Sequence, residues 1–180
     1  EDYRLRVPTG FPRAGLAVYL MGETFAELGG SEFAEAVLGV VGGRPPALDL
    51  DREEALLKLL VDAAAADLLA SAHDCADGGL AIALVEAAID TGHGFAVTIA
   101  TDLPAHVALF SESASRAVVG VAPEHEAELA ALAASRGVPL ARLGETGGPR
   151  IVFDGMVEST VAELRAIHET AIPRLLGELV

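Results

Sequence analysis

"SAHDCADGGLAIALVEAAI", residues 71–89, decides how the chain is read. Its first half puts His73, Asp74, the chain's single cysteine and Asp77 within five positions, and Gly78-Gly79 follow at once. Its second half, Leu80 to Ile89, has Glu86 as its one polar residue. A segment that apolar on every side predicts a buried helix rather than an amphipathic one lying on the surface. The glycine pair then marks the turn into that helix, and Asp77 is its expected N-cap, since a carboxylate there can accept from first-turn amides. "LLASAH" before it reads as a short strand. Strand, glycine turn and buried helix together point to a sheet with helices laid against it.

The neighbouring segments extend that pattern. "LAVYLMG", Leu16 to Gly22, is a short apolar run closed by glycine and predicts a buried strand. "ELGGSEFAEAVLGVVGG" supplies a glycine turn, Ser31 as N-cap and a helix ending near Gly39. "RPPALDLDREEALLKLLVDAAAADLL" predicts a helix capped by Asp49 or Asp51, with Leu56, Leu59, Leu60 and Ala63 on one face. Further on, "FAVTIA" reads as a strand, and "VALFSESASRAVVGV" as an apolar segment, a polar turn and a strand. "PEHEAELAALAASRG" is a helix with Pro123 near its start and Gly137 at its stop. "VPLARLGETGGPRIVFDGMV" gives two short strands around a glycine-rich turn. "STVAELRAIHETAIPRLLGELV" closes the chain as a helix capped by Ser159 or Thr160 and interrupted at Pro173. Residues 1–14 read as a linker or lead-in segment and 15–180 as one α/β (α+β) domain.

Composition bounds the partners. The 180 residues carry 27 Asp and Glu against 12 Lys and Arg, a formal charge of −15. Polyanion binding needs cations to neutralise phosphates, so nucleic acid is not an expected partner. One small phosphate remains compatible with the composition, because backbone amides can hold it without a basic patch. A single cysteine excludes an intrachain disulfide and a thiolate cluster, and with no secretory signal visible a cytoplasmic setting is expected. No apolar run approaches the ~20 residues that span a bilayer. The chain begins at Glu1 rather than Met, which suggests a piece of a longer protein.

The reactive-looking cluster fails as a metal site or a nucleophile. Near-adjacent side chains point in different directions, and no second Cys/His group completes a zinc shell. A Cys–His pair needs spatial contact that adjacency does not supply. Cys75 is most simply a small buried side chain. The glycines remain candidates for close approach of an anion, at Gly78-Gly79 and at Gly29-Gly30-Ser31, with Arg116 as counter-charge. "GETGGPR" lacks the ending of a phosphate-binding loop, and "LFSESASR" lacks the glycines of a serine-hydrolase elbow. His93, His106, His125 and His168 are scattered and read as surface or core residues. His73 and Asp74 are expected to hold the loop together by hydrogen bonds.

Four segments in order, "GETFAELGGSEF", "RPPALDLDREEAL", "SAHDCADGGLAIALVEAAI" and "LFSESASRAVVGV", resemble the C-terminal domain class of the aminoimidazole ribonucleotide synthetase superfamily. Within it they are most similar to the last domain of the large chain of phosphoribosylformylglycinamidine synthases. The likeness runs from about Leu16 to Leu176. It implies a mixed sheet covered by helices, partly ferredoxin-like. It also implies a parent enzyme of purine biosynthesis that uses ATP, magnesium and glutamine-derived ammonia to convert formylglycinamide ribonucleotide to the amidine. The implied partners are upstream ATP-binding domains, a glutaminase component and the ribonucleotide substrate. In that family the catalytic histidine and magnesium carboxylates lie in the ATP-binding domains. A Glu-Ser-Gln segment of the first of two duplicated domains contacts substrate. The matching positions here are Glu112, Ser113 and Ala114, and alanine cannot make the amide's hydrogen bonds. The resemblance therefore implies a domain without catalytic residues or metal of its own, inactive alone. The other readings are a small-anion or nucleotide module, or an assembly domain of a related enzyme such as aminoimidazole ribonucleotide synthetase, selenophosphate synthetase or a hydrogenase maturation factor.

Overall fold

The computed structural model describes residues 6–177. The first two residues of "RLRVPTGFPRAG" and the last three of the closing helix stretch lie outside that span. Seven strands form one mixed sheet: β1 Ala17–Met21, β2 Ser71–Asp74, β3 Phe95–Val97, β4 Ala117–Val121, β5 Leu140–Thr146, β6 Arg150–Phe153 and β7 Val157–Thr160. Their order across the sheet is β2-β4-β1-β5-β3-β6-β7. The β3–β6 pair is parallel and the other pairs are antiparallel. The helices are α1 Glu32–Leu38, α2 Leu50–Ala65, α3 Gly79–Thr91, α4 Ala105–Phe110, α5 Glu126–Arg136 and α6 Val161–Leu175, with a 3-10 turn at Pro123–His125 before α5. The expected class, a mixed sheet covered by helices, is the class observed.

Helices cover both faces of the sheet at β1 and β4, which explains why these two strands are apolar throughout. In β1, Val18 and Leu20 join the core under α3 with Leu80, Leu84, Phe95 and Ile151. Ala17, Tyr19 and Met21, on the opposite face, join the core under α2 and α5 with Leu56, Leu59 and Leu129. Successive side chains of a strand alternate between faces, so a strand buried on both sides reads as an unbroken hydrophobic run. Phe11, fully buried, packs into the α3 core, and its amide donates to the Ala87 carbonyl at 2.9 Å. That contact anchors the lead-in segment.

Local signals placed most helix ends. Ser31 caps α1, Asp49 caps α2, and Thr160 caps α6 in a reciprocal box with Glu163. Gly39 and Gly137 end α1 and α5 in the left-handed conformation. Two expectations need correction. Asp77 does not cap α3: the cap position is Gly78, at φ 74°, and no side chain of the segment bonds to the helix start. A left-handed residue at that point turns the chain so that the exposed Asp77 points away from the first-turn amides. Pro173 does not interrupt α6, which continues to Leu175. Proline costs the Glu169 carbonyl its partner, but at an exposed final turn water can take that place. The two strands expected around the glycine-rich turn at 147–149 are β5 and β6, and β3 inserts between them in the sheet. Strand β7 was not foreseen, and the apolar segment before the "SESASR" turn is helix α4.

Candidate functional site

The loop joining α4 to β4, Ser111 to Arg116, is the hub of one end of the molecule. It sits where α4 ends beside the start of α3, and this contact depends on glycine. A Cβ on Gly79 would stand 2.4 Å from the Ser111 carbonyl oxygen and 3.1 Å from that of Leu109. Gly29 meets the same kind of limit, since a Cβ there would lie 2.4 Å from the Arg44 carbonyl oxygen. The two glycine turns singled out from the sequence thus let backbone segments pack against each other.

Glu112 is the central side chain. Its Oε1 accepts from the Gly78 amide at 2.8 Å and from the Glu32 amide at 2.9 Å. One carboxylate therefore occupies the amide-rich starts of both α3 and α1. A helix start favours negative charge because its first amides lack partners within the helix. Here the chain supplies that charge itself. Ser31 is fully engaged: its Oγ accepts from the Ala34 amide at 3.2 Å and donates to the Leu28 carbonyl at 2.7 Å. The Gly30 amide donates to the Gly42 carbonyl at 2.8 Å.

Ser111 and Ser113, both buried, brace the segment that precedes α1. The Phe25 amide donates to Ser113 Oγ at 2.9 Å, and Ser111 Oγ donates to the Phe25 carbonyl at 2.6 Å. Arg116 is 4 % exposed and points inward. Its Nε donates to the Ser113 carbonyl at 2.9 Å, Nη2 to the Ser111 carbonyl at 2.6 Å and Nη1 to Thr24 Oγ1 at 2.8 Å. Desolvation lowers its pKa, opposed by Cys75, Glu27 and Glu112 nearby. The guanidinium serves as an internal clamp on the loop. That geometry disfavours the counter-charge role expected for it, since three of its nitrogens are committed to protein oxygens.

Beside this hub lies an open cleft of about 390 Å³ between α2, β2 and the loop. Leu56, Leu57 and Leu60 form its apolar wall, with Asp74, Cys75 and Glu112 opposite. His73 contributes from β2. Its Nδ1 lies 2.8 Å from the Asp74 carbonyl oxygen, and its ring nitrogens are 3.5 Å from carboxylate oxygens of Asp74 and Glu86. Cys75 is buried, and desolvation pushes its thiol up to about 11. It is protonated near neutral pH and is a poor nucleophile. Among the described residues no cluster of three or more His, Cys, Asp or Glu could hold a metal.

The structure thus gathers Gly29, Gly30, Ser31, Gly78, Gly79, Glu112, Ser113 and Arg116 at one end, with His73 and Asp74 on the adjoining cleft. Asp77 stays outside. Sequence reading missed Thr24, Glu27, Glu53 and Ser111. Glu53 accepts from Ser115 Oγ at 2.6 Å, and Glu27 accepts from the Ala47 amide at 2.9 Å. No periodicity marks such residues, because these partners lie 20 to 92 positions away. The arrangement braces and positions backbone.

Residues 13–154 match the family described as "AIR synthase related protein, C-terminal domain". The phosphoribosylformylglycinamidine synthase subunit PurL of Thermobifida fusca is 49% identical over 181 residues, covering 98% of this chain and 23% of that protein. The corresponding subunit of Nocardioides sp. is 48% identical over 178 residues, with the same two coverages. The chain therefore spans about a quarter of the length of these curated relatives. Among solved structures, Thermotoga maritima PurL complexed with FGAR superposes with a TM-score of 0.79 at 20% identity, covering 91% of this chain and 30% of that one. Thiamine-monophosphate kinase from Stenotrophomonas maltophilia superposes with a TM-score of 0.57 at 19% identity, covering 83% and 53%. At those identities the likeness is one of fold. The chain belongs to the C-terminal domain family of AIR synthase related proteins.

Proposed function

We propose that the chain is the C-terminal domain of an ATP-dependent phosphoribosylformylglycinamidine synthase of purine biosynthesis, and that it contributes architecture rather than catalytic groups. The relatives sharing nearly half its residues carry that name, and each is about four times as long. In the whole enzyme, ATP with magnesium activates the formamide oxygen of formylglycinamide ribonucleotide as a phosphate. Ammonia from a glutaminase component then displaces it. Thermotoga maritima PurL has been solved with ATP and with FGAR, and a PurLQS assembly of the same organism is also known. ATP and magnesium belong to the upstream domains in this reading. A cytoplasmic setting accords with it, and among the described residues no helix is long and apolar enough to cross a membrane.

The observation that carries the non-catalytic reading is the pair of hydrogen bonds that the Gly78 and Glu32 amides donate to Glu112. A ligand carboxylate or phosphate at these helix starts would have to displace a side chain that already satisfies their amides. Ala114, beside it, offers no polar atom in place of the family's amide. The inward clamp of Arg116 works against the small-anion alternative for the same reason.

Grafting this chain into the full-length Thermobifida fusca subunit, in place of the matching segment, tests the assignment. Ammonia-dependent formation of the amidine by the graft is expected. A folded graft that binds ATP yet forms no product would overturn the assignment. Turnover by the 180-residue chain alone would overturn the non-catalytic part.

A further inference from the structure

An Asp-Gly pair can modify itself. The glycine nitrogen attacks the aspartate carboxyl carbon, the N–Cγ bond forms and one water leaves, which closes a succinimide ring. Water then reopens the ring at either carbonyl. The product is aspartate or isoaspartate, whose main chain runs through the side-chain carboxyl carbon and is one atom longer. The water lost is regained, and no oxidant or reductant takes part. Glycine favours ring closure because it has no Cβ to hinder the approach and lets the peptide turn freely. The chain has no Asn and two Asp-Gly pairs, Asp77–Gly78 and Asp154–Gly155.

The fold treats the two pairs differently. Both aspartates are exposed, but Gly78 is buried and Gly155 is not. The Gly78 amide, the nucleophile of the reaction, donates to Glu112 Oε1 at 2.8 Å. The peptides around it are also held: the Gly79 amide donates to the Ala76 carbonyl at 3.0 Å and the Cys75 amide to the Arg116 carbonyl at 3.3 Å. Ring closure there requires the 77–78 peptide to turn and the Glu112 bond to break. Asp154 and Gly155 instead form the centre of the β6–β7 turn, which the Met156 amide closes onto the Phe153 carbonyl at 2.9 Å. Among the described residues nothing accepts from the Gly155 amide. A Cβ on Gly155 would meet open space. The Asp154 carboxylate accepts one long bond, from Thr98 Oγ1 at 3.4 Å.

We propose that Asp154–Gly155 is a self-modification site, where the native chain forms succinimide and isoaspartate, and that Glu112 protects Asp77–Gly78 from the same reaction. At 154 the added backbone atom falls in a turn next to the pair Phe153 and Val157, at the outer edge of the sheet. At 77 it would fall in the hub that joins α1 to α3. The labile pair is thus left open where a turn can absorb the change and locked where the packing cannot.

Long incubation of the folded chain at neutral pH tests this, read by peptide mapping and by methyl labelling with a protein-isoaspartate methyltransferase, which esterifies the free α-carboxylate of isoaspartate. Isoaspartate is expected at 154 in about tenfold excess over 77, the factor imposed by breaking one hydrogen bond to a charged group. In urea the two pairs should react at similar rates. A native chain that gains no isoaspartate at 154, while the unfolded chain does, would overturn the site. The same excess at 154 in urea would trace the preference to neighbouring residues and overturn the protection. Glu112→Ala should raise modification at 77 about tenfold and leave 154 unchanged. Leu129→Ala, in the core under α5, removes stability without touching the loop and should leave 77 slow. No rise at 77 in Glu112→Ala, or an equal rise in Leu129→Ala, would contradict the protective role of Glu112.

Discussion

Removing the Glu112 carboxylate tests the keystone of the site. Glu112→Ala leaves two amides without their acceptor. Hydrogen bonds to a charged group contribute about 1.5–3 kcal/mol each. The buried Gly78 amide loses that in full, whereas the Glu32 amide lies at an exposed position where water can replace the carboxylate. The expected loss is therefore about 2–4 kcal/mol, which for a chain of this size lowers Tm by about 5–12 °C. Glu112→Gln keeps an acceptor oxygen in place and removes the charge that the two helix starts favour, so it should cost only about 1 kcal/mol. Glu124→Ala, an exposed acid outside the hub, serves as the control and should stay within about 0.5 kcal/mol of wild type. Urea unfolding followed by circular dichroism gives the midpoint and slope for all four proteins. An alanine variant as stable as the control would refute the idea that Glu112 fastens α1 and α3 together.

Three further outcomes follow from the packing and the ionisation behaviour. Gly79→Ala should destabilise by more than about 3 kcal/mol, because its Cβ meets the Ser111 carbonyl in addition to the strain of positive φ, whereas Gly30→Ala meets open space and should cost only about 1 kcal/mol. Equal losses in urea unfolding would show that the approach of α3 to α4 is not tight. Tyr19, desolvated and donating to Glu126, has its hydroxyl pKa pushed up to about 12. A folded value above the unfolded one, near 10, gives a contribution to stability that is full below pH 10 and is lost as pH rises towards 12. The stability difference between wild type and Tyr19→Phe should hold up to pH 10 and shrink above it; a difference constant to pH 12 would contradict this. Cys75 should react with iodoacetamide at pH 8 far more slowly than a small-molecule thiol and reach that rate in urea. Rapid labelling of the native chain would mean the thiol is accessible.

The sequence disclosed what is local. The cap residues Ser31, Asp49 and Thr160 each bond within four positions of themselves, so their signals survive in a short window. The apolar run after Gly79 announced a helix buried on most sides, and β1 announced a strand buried on both. What stayed hidden depends on distant partners. Asp77 looked like the cap of α3, but the carboxylate that reaches this helix start comes from Glu112, 34 positions along the chain. The "SESASR" stretch reads from the sequence as a polar turn. Ser111, Ser113 and Arg116 are bonded to the 24–27 segment and to the loop's own carbonyls, and Ser115 donates to Glu53. Strand order was equally unreadable, since β3 separates β5 from β6 through pairings no spacing encodes. In the candidate site, residue membership was largely legible and roles were not. Gly29 and Gly79 leave room for neighbouring backbone, whereas Gly30 faces open space.

Titration calorimetry of the isolated chain with formylglycinamide ribonucleotide, and in the same series with ATP and magnesium, tests the central claim most directly. If Glu112 and Arg116 already satisfy the site, neither ligand should give saturable heat up to millimolar concentration. Saturable binding of either, weakened by substitution at Ser113 or Arg116 in variants that keep their fold, would contradict the account and restore these residues as a ligand site.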